Sequence, residues 1–304
     1  MRATASFAMA VLSMAAIQAA QAADSIVQAH AQLIELSYQL EDLTPGDNLG
    51  ALYGGNGYRA DRLAEVSYRE QALNSAGTKI VDRELEYTRM SNPYGGRLNA
   101  ELISGEASAT AYLGDTSTEQ VQVNLGKDRF EEGFTYGELN GERFGGPSVN
   151  ASVATSQQNR WLGAGTGVTF SATFTLGVSV DASGLDGLTQ GENLRAKGVA
   201  EFFMSLKPYY SVPGLEFEEG LLKQVISVQQ DVGPGGLLSG AGMARQTFTL
   251  TGRVLNSTDR DVWITESWGV NALARVSPVP EPTSWALWLA GLALVQLMRQ
   301  RQTV

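Results

Sequence analysis

The chain has 304 residues, 43% of them hydrophobic and only 18% charged, with 34 glycines, one histidine and no cysteine. Absent cysteine excludes a disulfide framework, thiolate metal sites and cysteine nucleophiles, and a single histidine leaves a catalytic zinc site without enough ligands. A formal charge of −10 repels nucleic acid and anionic lipid, and no basic run in the chain contradicts that.

Arg2 is followed by an apolar run, Phe7 to Ile17, interrupted only by Ser13, and then by Ala20-Gln21-Ala22. A positive start, a short apolar core and small residues at alternate positions are the pattern of a cleaved secretory signal. The run is too short for a hydrocarbon core of ~30 Å, so it is no permanent anchor. Residues 1–22 are therefore expected to be a signal peptide, with Ala20 and Ala22 at the cleavage site.

From Gln32 to Asp42 two periods compete. Ile34, Leu36, Tyr38 and Leu40 alternate with polar residues, as in a strand, whereas Leu33, Leu36, Leu40 and Leu43 have helical spacing. Pro45-Gly46 supplies a turn. Ala107–Leu113 and Val121–Leu125 read as a hairpin of small residues around Gly114-Asp115. Residues 140–159 hold Gly, Pro, Ser and Asn with no period, so a loop is expected there, and a domain split near 145–160 stays open. Gly163 to Gly167 precedes a strand and opens no helix, so it reads as a tight turn and not as a phosphate cradle.

Val168 to Asp181 carries the strongest pattern. Val168, Phe170, Ala172, Phe174, Leu176, Val178 and Val180 alternate with Thr169, Ser171, Thr173, Thr175, Gly177, Ser179 and Asp181. Such a run is a long strand with one dry and one wet face, which an antiparallel sheet packed on one side accepts. Lys197–Lys207 alternates through Gly198, Ala200, Phe202, Met204 and Leu206. Asp231–Gly242 is rich in Gly and Pro and reads as loop. Gln246–Val254 is a strand, Asn256–Arg260 a polar turn, and Asp261–Val276 a second extended segment. Several alternating runs divided by Gly-rich turns predict an all-β body, an antiparallel β-sandwich spanning residues 23–277.

The C-terminal part differs in kind. Ser277-Pro278-Val279-Pro280-Glu281-Pro282-Thr283-Ser284 is Pro-rich and is expected neither to extend a central strand nor to continue a helix. It runs into Trp285–Met298, apolar throughout but for Gln296, and then Arg299 and Arg301. As a helix these residues rise only ~21 Å, which Thr283, Ser284, the tryptophans Trp285 and Trp288 and snorkelling arginines lengthen toward a full span. A single transmembrane helix at 284–298 is expected, with the arginines on the cytoplasmic side.

Pro280, Glu281 and Pro282, the apolar helix and the basic end in this order resemble the PEP-CTERM sorting tail, here residues 278–304. The resemblance implies an exported protein of a Gram-negative bacterium. It would be held in the inner membrane before processing, cut by exosortase near the motif, and passed to the cell surface or extracellular matrix. Leu36-Ser-Tyr-Gln-Leu-Glu-Asp-Leu-Thr-Pro-Gly-Asp47 is similar to the first-strand motif of β-rich members, which favours a strand over a helix there. The implied partners are signal peptidase and the general secretion machinery, exosortase, membrane lipid before processing, and extracellular polysaccharide.

Catalytic chemistry is sparse. His30 stands seven residues past the expected cleavage, a frayed position unsuited to a triad base. Glu131-Glu132, Glu216, Glu218-Glu219, Asp42 and Asp47 are the carboxylates weighed for glycoside hydrolysis, and nothing shows that they converge. Asp42 and Asp47 lack the dense ligand pattern of an EF-hand calcium loop. Asn150-Ala-Ser and Asn256-Ser-Thr match the glycosylation sequon. Tyr53, Tyr58, Tyr94, Tyr209 and Tyr210 are the aromatics weighed for sugar stacking. No catalytic residue, metal or cofactor is expected. The body is read as a non-enzymatic part of biofilm or exopolysaccharide, the alternative being a secreted carbohydrate-binding or carbohydrate-active protein with the same tail.

Overall fold

The structure, a computed structural model, describes residues 25–46, 50–54, 61–74, 76, 78–92, 97–104, 107–113, 119–126, 137–139, 142–144, 146–185, 193–218, 221–233, 235–240 and 242–279. The expected signal peptide and the sorting tail from Pro280 onward lie outside the described residues. Among the described residues no helix is long and apolar enough to cross a membrane.

Two antiparallel sheets stack face to face. The first runs β13 (Leu215–Glu218), β16 (Met243–Asn256), β11 (Thr166–Val180), β1 (Ser25–Asp42), β7 (Glu119–Gly126), β6 (Ala107–Leu113), β5 (Leu98–Ser104). The second runs β15 (Gly236–Gly240), β14 (Leu221–Gly233), β12 (Leu194–Pro208), β17 (Val262–Pro278), β10 (Pro147–Leu162), β3 (Asp61–Leu73), β4 (Ile80–Asn92), with the short β2 (Tyr53–Gly54) pairing on β10. A separate hairpin joins β8 (Gly137–Leu139) to β9 (Glu142–Phe144). The body is all-β, an antiparallel sandwich.

The long alternating segment lies where its pattern demands. β11 sits between β1 and β16, and Val168, Phe170, Ala172, Phe174 and Leu176 are fully buried. Phe174 stacks on Phe202 of β12 in the opposite sheet, centroids 4.1 Å apart. On its wet face Thr173 and Thr175 meet Thr249 and Thr247 hydroxyl to hydroxyl, at 3.1 and 2.8 Å. β12 and β17 alternate similarly, and the inward position of Gly198 admits no side chain, since a Cβ there would strike Val178 across the interior.

The competition between periods at 32–42 has a structural origin. β1 pairs with β11 as a strand, but its register shifts between Leu33 and Glu35. Leu33, opposite Phe174, is buried, whereas Ile34 is 48% exposed, and Leu36 and Tyr38 then return to the interior. A β-bulge inserts one residue into the alternation. Inward positions on either side of it consequently fall three apart, which imitates helical spacing.

Three expectations are corrected. Residues 147–162 are not loop: they form β10, a 16-residue strand between β17 and β3, with Val149, Ala151 and Val153 buried. The expected loop at 231–242 contains the end of β14 and the short edge strand β15. The Pro-rich stretch does not begin outside the sheet: β17, a central strand between β12 and β10, runs through Ser277 to Pro278, which is tolerated because it is the last residue of the strand.

The ends of the body share one pole. Val279 donates its N–H to the Asn193 carbonyl at 2.7 Å, and Pro278 pairs with Leu194. Val27, near the start of β1, pairs with Val180 and lies beside Gly198 of β12. At the far pole, roughly 50 Å away along the 17 residues of β17 at ~3.3 Å each, Asn256 holds the crossing between sheets. Its fully buried amide nitrogen donates to the carbonyls of Leu162, Gly163 and Arg260 at 3.1, 2.8 and 2.9 Å, and its oxygen accepts from Thr258. Gly165, at φ +61°, turns the chain from β10 into β11 at this pole.

Candidate functional site

Toward the far pole the apolar interior gives way to charge. β17 alternates inward through Val262, Ile264, Glu266, Trp268 and Val270, so Glu266 is carried into the core by the period of its own strand. It is fully buried. Tyr38 of β1 donates to its Oε1 at 2.5 Å, and Tyr53 of β2 and Arg160 of β10 donate to Oε2 at 3.0 and 2.9 Å. The Arg160 guanidinium stands 5.6 and 5.5 Å from the two tyrosine rings, which lie edge-on against Phe170.

A second carboxylate stands on the opposite sheet. Glu119 opens β7 in phase with Val121, Val123 and Leu125, and is fully buried. Trp268 of β17 donates its Nε1–H to Oε1 at 2.9 Å, while Oε2 is buried without a hydrogen-bond partner. The charge of Arg62, inward on β3, acts on it.

Burial dominates the electrostatics. It pushes Glu119 above the usual carboxylate range, against the Trp268 hydrogen bond and Arg62. It pushes Glu266 in the same direction, against Tyr38, Arg160 and Tyr53. Burial and then the Glu266 charge drive both tyrosine hydroxyls far above the ordinary phenol value. Burial lowers the Arg160 pKa most strongly of any single cause, yet Glu266, Tyr53 and Tyr38 together outweigh it, so the guanidinium pKa is raised. These tyrosines are hydrogen-bond donors at neutral pH and not bases. Every Glu266 oxygen already carries a donor, so the cluster ties β1 to β17 and is not arranged for acid–base turnover.

The residues singled out in the sequence are dispersed. His30 is not frayed: it lies mid-strand in β1, between Gln122 and Gly177, with its ring covering Gly177. Burial and the Arg245 charge lower its pKa. Asp42 is exposed and caps its own turn by accepting from the Thr44 N–H at 2.9 Å. Glu216 is exposed on β13; Glu131, Glu132, Glu219 and Asp47 lie outside the described residues. Among the described residues no group of acidic and histidine side chains could hold a metal. Asn256 is closed to glycosylation, because its nitrogen is buried and donates three hydrogen bonds.

Tyr53 belongs to the interior, and Tyr58 and Tyr94 lie outside the described residues. Tyr209 and Tyr210 are 62% and 50% exposed and meet edge to face. The Tyr209 N–H bonds the Trp263 carbonyl, and Trp263 packs on Trp161 at 3.6 Å on the outer face of the second sheet. Tyr209, Tyr210, Trp161 and Trp263 therefore stand together toward the far pole.

Elsewhere on that outer face β3, β10 and β17 line a half-open cavity of about 190 Å³, formed by Ser67, Arg69, Gln71, Ser148, Asn150 and Arg275 above Leu273. The Ser67 hydroxyl, on a residue only 1% exposed, and Arg69 Nε are buried without hydrogen-bond partners. Nothing in the sequence marks this site, because its residues come from three strands distant in the chain. For Glu119 and Glu266 a signal was present, a charged residue in phase with buried neighbours.

No family model matches the chain, and no curated protein matches it. Among solved structures it is similar to a carbohydrate-binding module of the β-sandwich superfamily, at 9% identity over 75% of this chain and 94% of that one, with a TM-score of 0.09. Similarity of the same order reaches a deletion mutant of Bacillus subtilis oxalate decarboxylase (7% identity, 81% and 69% covered, TM-score 0.09). It also reaches the VP2 protein of infectious bursal disease virus (10%, 85% and 79%, TM-score 0.09). Scores this low carry no argument about the present chain.

Proposed function

We propose that this is an exported surface or extracellular-matrix protein of a Gram-negative bacterium, sorted by an exosortase and contributing a non-enzymatic β-sandwich to biofilm or exopolysaccharide. The observation that carries this reading is the order Pro280-Glu281-Pro282, apolar Trp285–Met298, Arg299 and Arg301, directly behind the last strand of the sandwich. Two features support it. β17 stays paired to Pro278, so the motif follows the folded body with only Val279 between. The start of β1 lies at the same pole, which suits a body tethered at one end with its far pole outward. The non-enzymatic role draws on His30, which is packed over Gly177 with the Arg245 charge acting on it, and on the buried Glu266, whose two oxygens are both engaged.

The test replaces Pro280, Glu281 and Pro282 with alanine in the native host. Proline biases the residue before it away from helix, so replacing the three residues is expected to remove the recognition element while leaving the apolar segment intact. It should accumulate at full length in the inner membrane while the parent loses its tail and moves outward. Equal processing of both chains would mean a plain anchor and end the sorting reading.

A further inference from the structure

We infer that the cavity between β3, β10 and β17 binds a carboxylate, as presented by a uronic acid unit of an acidic polysaccharide.

The cavity is built from cations and unused donors. Across the outer face, cross-strand neighbours run Lys197, Arg275, Ser148, Arg69 and Glu84 on β12, β17, β10, β3 and β4. Three of the five are basic, in a chain whose net charge is −10. Lys197 and Arg275 are directly opposed, an arrangement that repels unless an anion lies between or beside them. Arg69 has an acidic partner in this set, Glu84 at 3.5 Å, and among the described residues Lys197 and Arg275 have none. The next neighbours along the strands, Leu273, Asn150 and Ser67, form an apolar and amide floor.

The second observation is the pair of orphaned donors. Ser67 Oγ and Arg69 Nε are both buried without hydrogen-bond partners, and both residues line the cavity. A buried donor left unmade is expensive, so a ligand oxygen that reaches it recovers that cost on binding. A guanidinium fork matches the planar geometry of a carboxylate. Asn150 and Gln71 carry amides, which both donate and accept and so suit sugar hydroxyls. At about 190 Å³ the space falls below the ~300–1,000 Å³ of pockets for drug-sized molecules. It suits one sugar unit of a chain that continues across an open sheet.

This deepens the matrix reading and rests on it only for choosing a uronate over other oxyanions. The experiment is calorimetric titration of the full-length chain in detergent with sodium glucuronate, a short polygalacturonate, glucose and inorganic phosphate. Glucuronate should bind in the millimolar range, the oligomer at least tenfold tighter, and both more weakly as salt rises. Glucose should give no heat. Arg275→Gln should weaken uronate binding at least tenfold with an unchanged thermal midpoint, since among the described residues the removed charge makes no ion pair. Asn150→Ala should weaken it as well, and keeps the result interpretable if the first variant folds poorly. No uronate binding, or equal binding by both variants and the parent, would overturn the proposal. Phosphate binding as tight as glucuronate would overturn the uronate assignment. A chain that binds uronate yet is processed normally without Pro-Glu-Pro loses the exosortase reading and keeps this site.

Discussion

Replacing Phe174 by alanine should be the most damaging single change in the first sheet. The side chain is fully buried on β11, between strands on both sides, and its ring lies 4.1 Å from Phe202 and 5.6 Å from Phe248. Removing it vacates about 100 Å³, and at ~24 cal/mol per Å³ the cavity alone costs about 2.4 kcal/mol if the site does not collapse. Lost transfer energy of the ring adds about 2 kcal/mol, and the two stacked contacts are worth about 0.5–1.5 kcal/mol each. Partial relaxation brings the expected total to about 4 kcal/mol. With a urea slope of about 2.5 kcal/mol/M, the unfolding midpoint should fall by about 1.5 M. Thr173→Ala is the matched control, one residue away on the wet face. It loses only the exposed hydroxyl contact to Thr249, about 0.2–1 kcal/mol. Urea titration by fluorescence measures both. Equal midpoints in the two variants would show that the faces of β11 are misassigned.

Two more outcomes follow from buried polar groups. Asn256→Ala strips three main-chain carbonyls of their donor at the sheet crossing, which should cost about 3 kcal/mol and lower the thermal midpoint by roughly 6–12 °C; an unchanged midpoint would refute its role. Glu119, raised by burial, keeps its proton in the folded state at pH values where the unfolded chain has lost it. Its contribution is therefore full below the unfolded value of about 4.3 and declines as pH rises through the folded one. Glu266 shares that direction. Glu119→Gln should consequently flatten, without abolishing, a fall in thermal midpoint between pH 4 and 8, and a parent that gains stability over that window would contradict it.

What the sequence made legible was periodicity under local control. Val168–Asp181 could be placed from its alternation because no bulge interrupts β11. β10 was illegible for the opposite reason. Its inward positions at the start are small, Val149, Ala151 and Val153, and its register then shifts between Thr155 and Gln158, so Arg160 and Leu162 face inward out of the earlier phase. His30 looked terminal because the count began at the expected cleavage, whereas β1 is paired on both sides there. Glu119 and Glu266 were readable in principle, since each holds an inward phase in a strand of apolar residues. A carboxylate at such a phase has to be buried with donors or force its strand to turn over. The donors themselves could not be read, because Tyr38, Tyr53 and Arg160 reach Glu266 from strands more than 100 residues away in the chain.

Those donors explain why a sandwich with so large an apolar interior carries charge inside it. Apolar contact between two wide faces is non-directional and tolerates sliding of one sheet over the other. A buried carboxylate does not, because an offset that separates it from its donors leaves several polar groups unpaired at about 1–3 kcal/mol each. Here one such group stands on each sheet and takes a donor from the other, Glu266 from Tyr38 and Glu119 from Trp268. The two links lie along adjacent inward positions of β17, Glu266 and Trp268, so they fix both the offset and the rotation of β17 against β1 and β7. The opposite pole has main-chain pairing instead: Pro278 is aligned with Leu194, and Val279 is bonded to Asn193. Side-chain links at one end and backbone links at the other hold the same strand. A pull transmitted through the residues after Val279 would therefore load β17 along its length, in shear across the ladders to β12 and β10, before it reached the buried carboxylates.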